Sequence, residues 1–90
     1  MAPLRRHGRF FVYILRCADG TLYTGFSPDL EKRIATHNEG KGARYTRGRG
    51  PVTLVWSKEY RYLRPALRAE RRIKALTRAE KERLVTSSGR

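Results

Sequence analysis

Residues 10–26 read FFVYILRCADGTLYTGF, and the way this stretch turns back on itself decides the fold. Phe10 to Cys17 is dense in β-branched and aromatic residues and is apolar at consecutive positions. A strand buried on both faces reads this way, so a central strand is expected. Ala18-Asp19-Gly20 interrupts the run as a turn, and Thr21 to Phe26 returns as a second strand. The length of that turn fixes which side chains share a face. A two-residue Asp19-Gly20 turn would pair Ala18 with Thr21 and send Tyr13 and Tyr23 to opposite faces. A three-residue loop, with Gly20 left-handed behind a type I turn, pairs Cys17 with Thr21 instead. Leu15 then faces Tyr23, Tyr13 faces Gly25, and both tyrosines look the same way. The residues allow either arrangement; we adopt the three-residue loop.

Beyond the hairpin, Ser27-Pro28 reads as a helix start, a hydroxyl N-cap followed by proline at the first helical position. Asp29 and Glu31 fall in the first turn, where the helix dipole favours acids. Leu30 and Ile34 supply an inward stripe, Asn38 with Gly40 ends the helix, and Arg33 and His37, four apart, are neighbours on one face. Residues 40–51, GKGARYTRGRGP, are a loop rich in glycine and basic residues, and Val52 to Glu59 is a third strand. Pro65 can open a second helix with Ala66, Leu67, Ile73 and Leu76 as its apolar stripe. Thr77-x-x-Glu80 is a capping box for a last helix carrying Leu84 and Val85. The order β-β-α-β-α-α predicts an α+β domain, a small three-stranded antiparallel sheet flanked by helices. Ninety residues hold one such domain, expected over 9–85, with a loosely held basic arm at 1–8 and a disordered tail at 86–90.

Charge narrows the function class. Twenty-one Lys and Arg against eight Asp and Glu give +13, and 39% hydrophobic residues still suffice for a core. Such like charge repels itself, and a polyanion relieves it most simply. The basic residues are mostly arginine, whose planar fork suits phosphate. Neither a strongly amphipathic helix nor a lipidation signal is present, so nucleic acid is expected as the partner rather than a membrane. A single cysteine, Cys17, excludes an intrachain disulfide and a multi-cysteine zinc site. The basic start before Phe10–Leu15 mimics a signal peptide, but its apolar run is short and has no small-residue cleavage site behind it. The cytoplasm is the expected location.

The spaced residues also carry a resemblance. Val12-Tyr13-Ile14-Leu15, Leu22-Tyr23-Thr24-Gly25-x-Ser27-x-Asp29-Leu30-x-x-Arg33-x-x-x-His37-Asn38-x-Gly40, Gly40 to Arg47, Pro51-Val52-x-Leu54-Val55 and Glu70-x-x-Ile73-Lys74-x-Leu76-x-Arg78 together resemble the GIY-YIG endonuclease superfamily. The likeness is greatest to its smallest, stand-alone bacterial branch (UPF0213-like). It runs from about Phe10 to Leu84, nearly the whole chain. The first tripeptide stands as Phe11-Val12-Tyr13, keeping only the tyrosine, and the second as Tyr23-Thr24-Gly25.

The resemblance implies a metal-dependent endonuclease that hydrolyses phosphodiester bonds of DNA or another nucleic acid, with Tyr13, Tyr23, Arg33, His37 and Glu70 as catalytic residues. From spacing alone, Glu70 reads as a half-buried acid neutralised by an arginine such as Arg33, in a helix crowded with Arg64, Arg68, Arg71, Arg72 and Lys74. The resemblance makes it the ligand of Mg²⁺ or Mn²⁺, a hard ion that needs only one or two carboxylates if phosphate and water complete its shell. Arg33 becomes the phosphate clamp, and His37 a proton relay. Tyr13 would deprotonate water and Tyr23 orient it. In the loop, a solvated connector and a backbone-tracking arm weigh equally; in the second reading Lys41, Arg44, Arg47 and Arg49 meet phosphates, as does Lys74 on the helix, and Tyr45 stacks on a base or sugar. The alternative function is a module of the same fold that binds nucleic acid without cutting it.

Overall fold

The FFVYIL run is the middle strand of a three-stranded sheet. In the computed structural model, which describes residues 7–88 but not the side chains of His7, Arg44 and Ser88, strands β1 (His7–Arg16), β2 (Leu22–Ser27) and β3 (Thr53–Tyr62) lie in the order β2-β1-β3. Both pairings are antiparallel. Helices α1 (Leu30–Asn38), α2 (Leu63–Lys74) and α3 (Arg78–Ser88) complete the expected β-β-α-β-α-α order of an α+β domain. β1 begins at His7, inside the stretch read as an arm, and α3 runs to Ser88, inside the stretch read as a tail. Residues 1–6 and 89–90 lie outside the described residues.

The hairpin turn is the three-residue one. Cys17 N donates to Thr21 O at 2.8 Å and Gly20 N to Cys17 O at 2.9 Å, with Gly20 at φ +87°. An L side chain rarely adopts that conformation, so glycine belongs there. Asp19 sets the turn by accepting from Thr21 N at 3.1 Å and from its hydroxyl at 2.6 Å. The register follows: Leu15 opposite Tyr23, Tyr13 opposite Gly25.

Alternation along β1 then sorts the core into two layers. Val12 and Ile14 point to one face, where Ala66, Ala69 and Ile73 of α2 seal them, with Leu84 and Val85 of α3 packed at the margin. Tyr13, Leu15 and Cys17 point to the other, under Leu30 and Ile34 of α1. α2 differs from expectation in three places: it begins at Leu63 rather than Pro65, Ala69 is buried while Leu67 is exposed, and Leu76 lies beyond its last residue, Lys74. The α3 start is as read, with Thr77 N donating to Glu80 Oε1 at 2.8 Å and Glu80 N to Thr77 Oγ1 at 3.2 Å. The α1 start is not. Ser27 closes β2, and its hydroxyl bonds both N and O of Asp29 at 3.0 Å. Asp29 is the N-cap, accepting from Lys32 N at 3.2 Å. Asp29 does the work assigned to Ser27 because β2 still pairs with β1 at Ser27, so the helix begins only at Leu30 and the residue just before it caps. No helix among the described residues is long and apolar enough to cross a membrane.

Candidate functional site

The site is built on the α1 face of the sheet, where the hairpin register brings two phenols together. Tyr13 is fully buried, and the Tyr13 and Tyr23 rings lie 6.4 Å apart. Tyr13 fits only because its partner across the ladder is Gly25: a Cβ there would collide with the Tyr13 phenol. The glycine two after Tyr23 is thus a spatial requirement of Tyr13.

α1 delivers the next two side chains from one face. His37, 1% exposed, meets the Tyr13 hydroxyl through Nε2 at 3.1 Å, and its ring lies 5.3 Å from that of Tyr23. On its other side Nδ1 meets Thr46 Oγ1 at 2.7 Å. Arg33, one turn earlier, stands close enough to both Tyr13 and His37 to shift their titration. Its Nε is buried with no hydrogen-bond partner among the described residues. A buried guanidinium N–H with no acceptor is a costly thing to leave in a folded protein, and a phosphate oxygen would satisfy it.

These neighbours set the protonation states. Burial pushes the Tyr13 phenol above its usual value; the Arg33 guanidinium beside it opposes this, while Tyr23 and Glu70 add to it. Burial pushes His37 below its usual value, and the Arg33 charge adds to the effect. At neutral pH the pair therefore rests as a protonated phenol against a neutral imidazole.

Glu70 comes from α2, across the sheet. Its carboxylate acts on Tyr13 electrostatically, is one-fifth exposed, and pairs with Lys74 Nζ at 3.2 Å. Lys74 at i+4, rather than Arg33, is the partner. No cluster of three or more His, Cys, Asp or Glu exists among the described residues. Such a donor set fits a hard ion that takes one carboxylate here and the rest of its shell from substrate phosphate and water. It does not fit an all-protein cage.

The 40–51 loop is neither a floating connector nor a free arm. A 3₁₀ turn (Arg44–Thr46) buries Thr46, Asn38 Oδ1 accepts from Val52 N at 2.7 Å, and Ala18 N donates to Arg49 O at 2.7 Å. Arg49 is committed internally, to Asp19 Oδ2 at 2.6 Å and over the Tyr45 ring at 4.5 Å. Arg47 Nε donates to Gly42 O at 3.3 Å. Tyr45 lies 5.8 Å from Tyr23 and is 41% exposed, so it extends the aromatic wall of the site outward. Lys41 is exposed. Thr46 and Gly42 are the residues that the sequence reading passed over. A Cβ on Gly42 would strike the His37 ring and backbone, so this glycine lets the loop close over His37. Nothing periodic marks either residue; the only signal was their place in the GKGARYTR stretch.

Comparison with known proteins places the chain in a family. A family model described as the GIY-YIG catalytic domain matches residues 9–83. A UPF0213 protein of Natronomonas pharaonis is 52% identical over 75 residues, covering 83% of this chain and 88% of its own. One from Clostridium perfringens is 53% identical over 77 residues, covering 86% and 83%. The solution NMR structure of a UPF0213 protein from Bacillus halodurans superposes with TM-score 0.61 at 47% identity, covering 90% of this chain and 86% of that one. A second NMR structure, of a protein from E. faecalis, gives TM-score 0.62 at 33% identity, covering 91% and 88%. With the family model spanning nearly all of the described residues and relatives of about the same length, this chain belongs to the GIY-YIG domain family, among its UPF0213 members.

Proposed function

We propose that this protein is a divalent-metal-dependent endonuclease that hydrolyses phosphodiester bonds in nucleic acid, DNA first. The observation that carries the reading is a buried Tyr13 hydroxyl bonded to a neutral His37, beneath a buried Arg33 Nε–H that has no acceptor. The scissile phosphate supplies the missing acceptor, and Arg33 then stabilises the charge that grows on it during attack. Tyr23 orients the attacking water. As Tyr13 takes a proton from that water, its own proton passes to His37 Nε2. A water O–H bond and the old phenol O–H bond break; a new phenol O–H and an imidazole N–H form. The water oxygen bonds to phosphorus as the P–O bond to the leaving strand breaks, and the leaving oxygen takes a proton from solvent. The raised phenol is never required to exist as a free phenolate, because its base is already in contact with it. Glu70 would hold Mg²⁺ or Mn²⁺, which when bound polarises the phosphoryl oxygen and eases deprotonation of water. Lys41, Arg44, Arg47, Arg49, Lys74 and Tyr45 are proposed to line the path of the strand; Arg49, Arg47 and Lys74 reach phosphate only by exchanging their internal partners.

A binding module that does not cut has one observation in its favour: Glu70 is a lone acid already engaged by Lys74. The two readings separate in a cleavage assay with Mg²⁺ or Mn²⁺ on branched, nicked and single-stranded DNA and on RNA. Cleavage of any of these that Glu70→Gln abolishes supports the nuclease. Retention of all of them uncut, with salt-sensitive binding, leaves the module.

A further inference from the structure

The polar chain behind Tyr13 has a direction. Thr46 Oγ1 lies 2.9 Å from Ala43 O, and a carbonyl carries no hydrogen, so the proton between these two oxygens is that of Thr46. A hydroxyl has only one proton. With it committed to Ala43, Thr46 Oγ1 meets His37 Nδ1 at 2.7 Å as an acceptor, which places a hydrogen on Nδ1. A neutral imidazole carries hydrogen on one nitrogen only. Nε2 is therefore bare, and Nε2 is the atom facing the Tyr13 hydroxyl at 3.1 Å. His37 and Thr46 are each 1% exposed, so water does not compete for these bonds.

We propose that Thr46 is a positioning residue for the Tyr13–His37 pair: its hydroxyl, anchored on Ala43, selects the Nδ1–H tautomer of His37 and keeps the proton-accepting nitrogen toward Tyr13. The inference deepens the nuclease reading and, in its catalytic consequence, rests on it. In the opposite tautomer Nε2–H would donate to the phenol oxygen, and Tyr13 would have no base to which its proton could pass. Thr46 itself touches no reacting atom. The loop reaches His37 at all because Gly42 lacks a Cβ.

The tautomer is read directly from long-range ¹H–¹⁵N NMR of protein labelled at its two histidines, with His7→Asn assigning the signals. The expected wild-type spectrum has a protonated, pyrrole-like Nδ1 and a bare, pyridine-like Nε2 on His37. Thr46→Val keeps the shape but offers no acceptor; it should move His37 to Nε2–H or to a mixture, and Thr46→Ser should restore the wild-type pattern. Thr46→Ala deletes the same hydroxyl should the valine variant not fold. In cleavage, the valine variant should lower kcat by roughly tenfold or more with KM little changed, and serine should recover it. A wild-type His37 protonated on Nε2, or an Nδ1–H tautomer that survives loss of the hydroxyl, overturns the proposal. The two readings fail separately. A protein that cuts nothing but shows the tautomer change loses the nuclease and keeps the positioning; one that cuts while the tautomer is unmoved does the reverse.

Discussion

The Glu70 carboxylate acts on Tyr13, and its present partner is a half-exposed lysine one turn along the same helix. An i,i+4 pair with one half-exposed partner is held weakly, so Glu70→Gln should lower stability by about 1 kcal/mol at most. Removing a negative charge that faces a polyanion should hold or tighten binding in metal-free buffer while abolishing cleavage. Arg33→Ala should also abolish cleavage but weaken binding, because it deletes the unpartnered donor. Binding isotherms of the two variants beside a cleavage assay check this pair; full activity in a folded Glu70→Gln protein would remove the metal role. His37 gives a prediction on pH. Its folded-state value lies below the ordinary 6.5, so between the two the unfolded chain binds more protons than the native one. The stability tied to a neutral His37 is fully present above pH 6.5 and is lost as pH falls through the folded value. Denaturation between about pH 7 and pH 5 should show that loss, and His37→Asn should flatten it. The resemblance, not spacing alone, singled out the candidate residues, and neither showed their protonation states. Neither burial nor the Thr46 contact leaves a mark on the order of residues.

At the level of elements, the sequence was informative wherever one local rule had no competitor. FFVYIL has no polar face, so it had to be central; the Thr77–Glu80 box is closed within one turn and stood as read. The hairpin was legible only to within two turn lengths, and the left-handed Gly20 decides between them. The start of α1 was misplaced because Ser27, Pro28 and Asp29 all favour a helix N-terminus, and which of them caps depends on where β2 stops pairing with β1. The 40–51 loop was opaque because what orders it is tertiary: Asn38 Oδ1 holds Val52 N, and Arg49 O holds Ala18 N. Asn38→Ala should therefore reach beyond its own contact. Leaving the partly buried Val52 N–H without an acceptor should lower stability by about 1–3 kcal/mol, measured by denaturant unfolding. Amide exchange at 42–46 should quicken, and cleavage should slow although Asn38 touches no candidate catalytic group. Unchanged exchange in the loop would show that Asn38 does not hold it.

At the scale of the whole molecule, most of the acids are engaged in structure, and they are far too few to pair the cations. Glu59, Glu82, Asp19 and Glu70 engage Arg9, Arg16, Arg78, Arg49 and Lys74, against a total of 21 basic residues and a net +13. The remaining positive charge repels itself and makes the folded protein a ready counterion for a polyanion. Each phosphate neutralised releases condensed cations from the nucleic acid, so log affinity should fall linearly with log salt, with a slope of about −0.9 per phosphate on duplex DNA and about −0.7 on a single strand. Comparing the two slopes on substrates of equal length counts the phosphates engaged on each form. The internal ties of Arg47, Arg49 and Lys74 sharpen the expectation for single variants. Lys41→Ala, at an exposed residue, should reduce the slope by about one phosphate without loss of stability. Arg49→Ala should also disturb the Asp19 turn and the Tyr45 contact, so its loss of affinity should come with a lower melting temperature. Affinity that barely changes from low to physiological salt would mean that the surplus charge does not meet phosphate, and the nucleic-acid partner would have to be abandoned along with the path proposed for it.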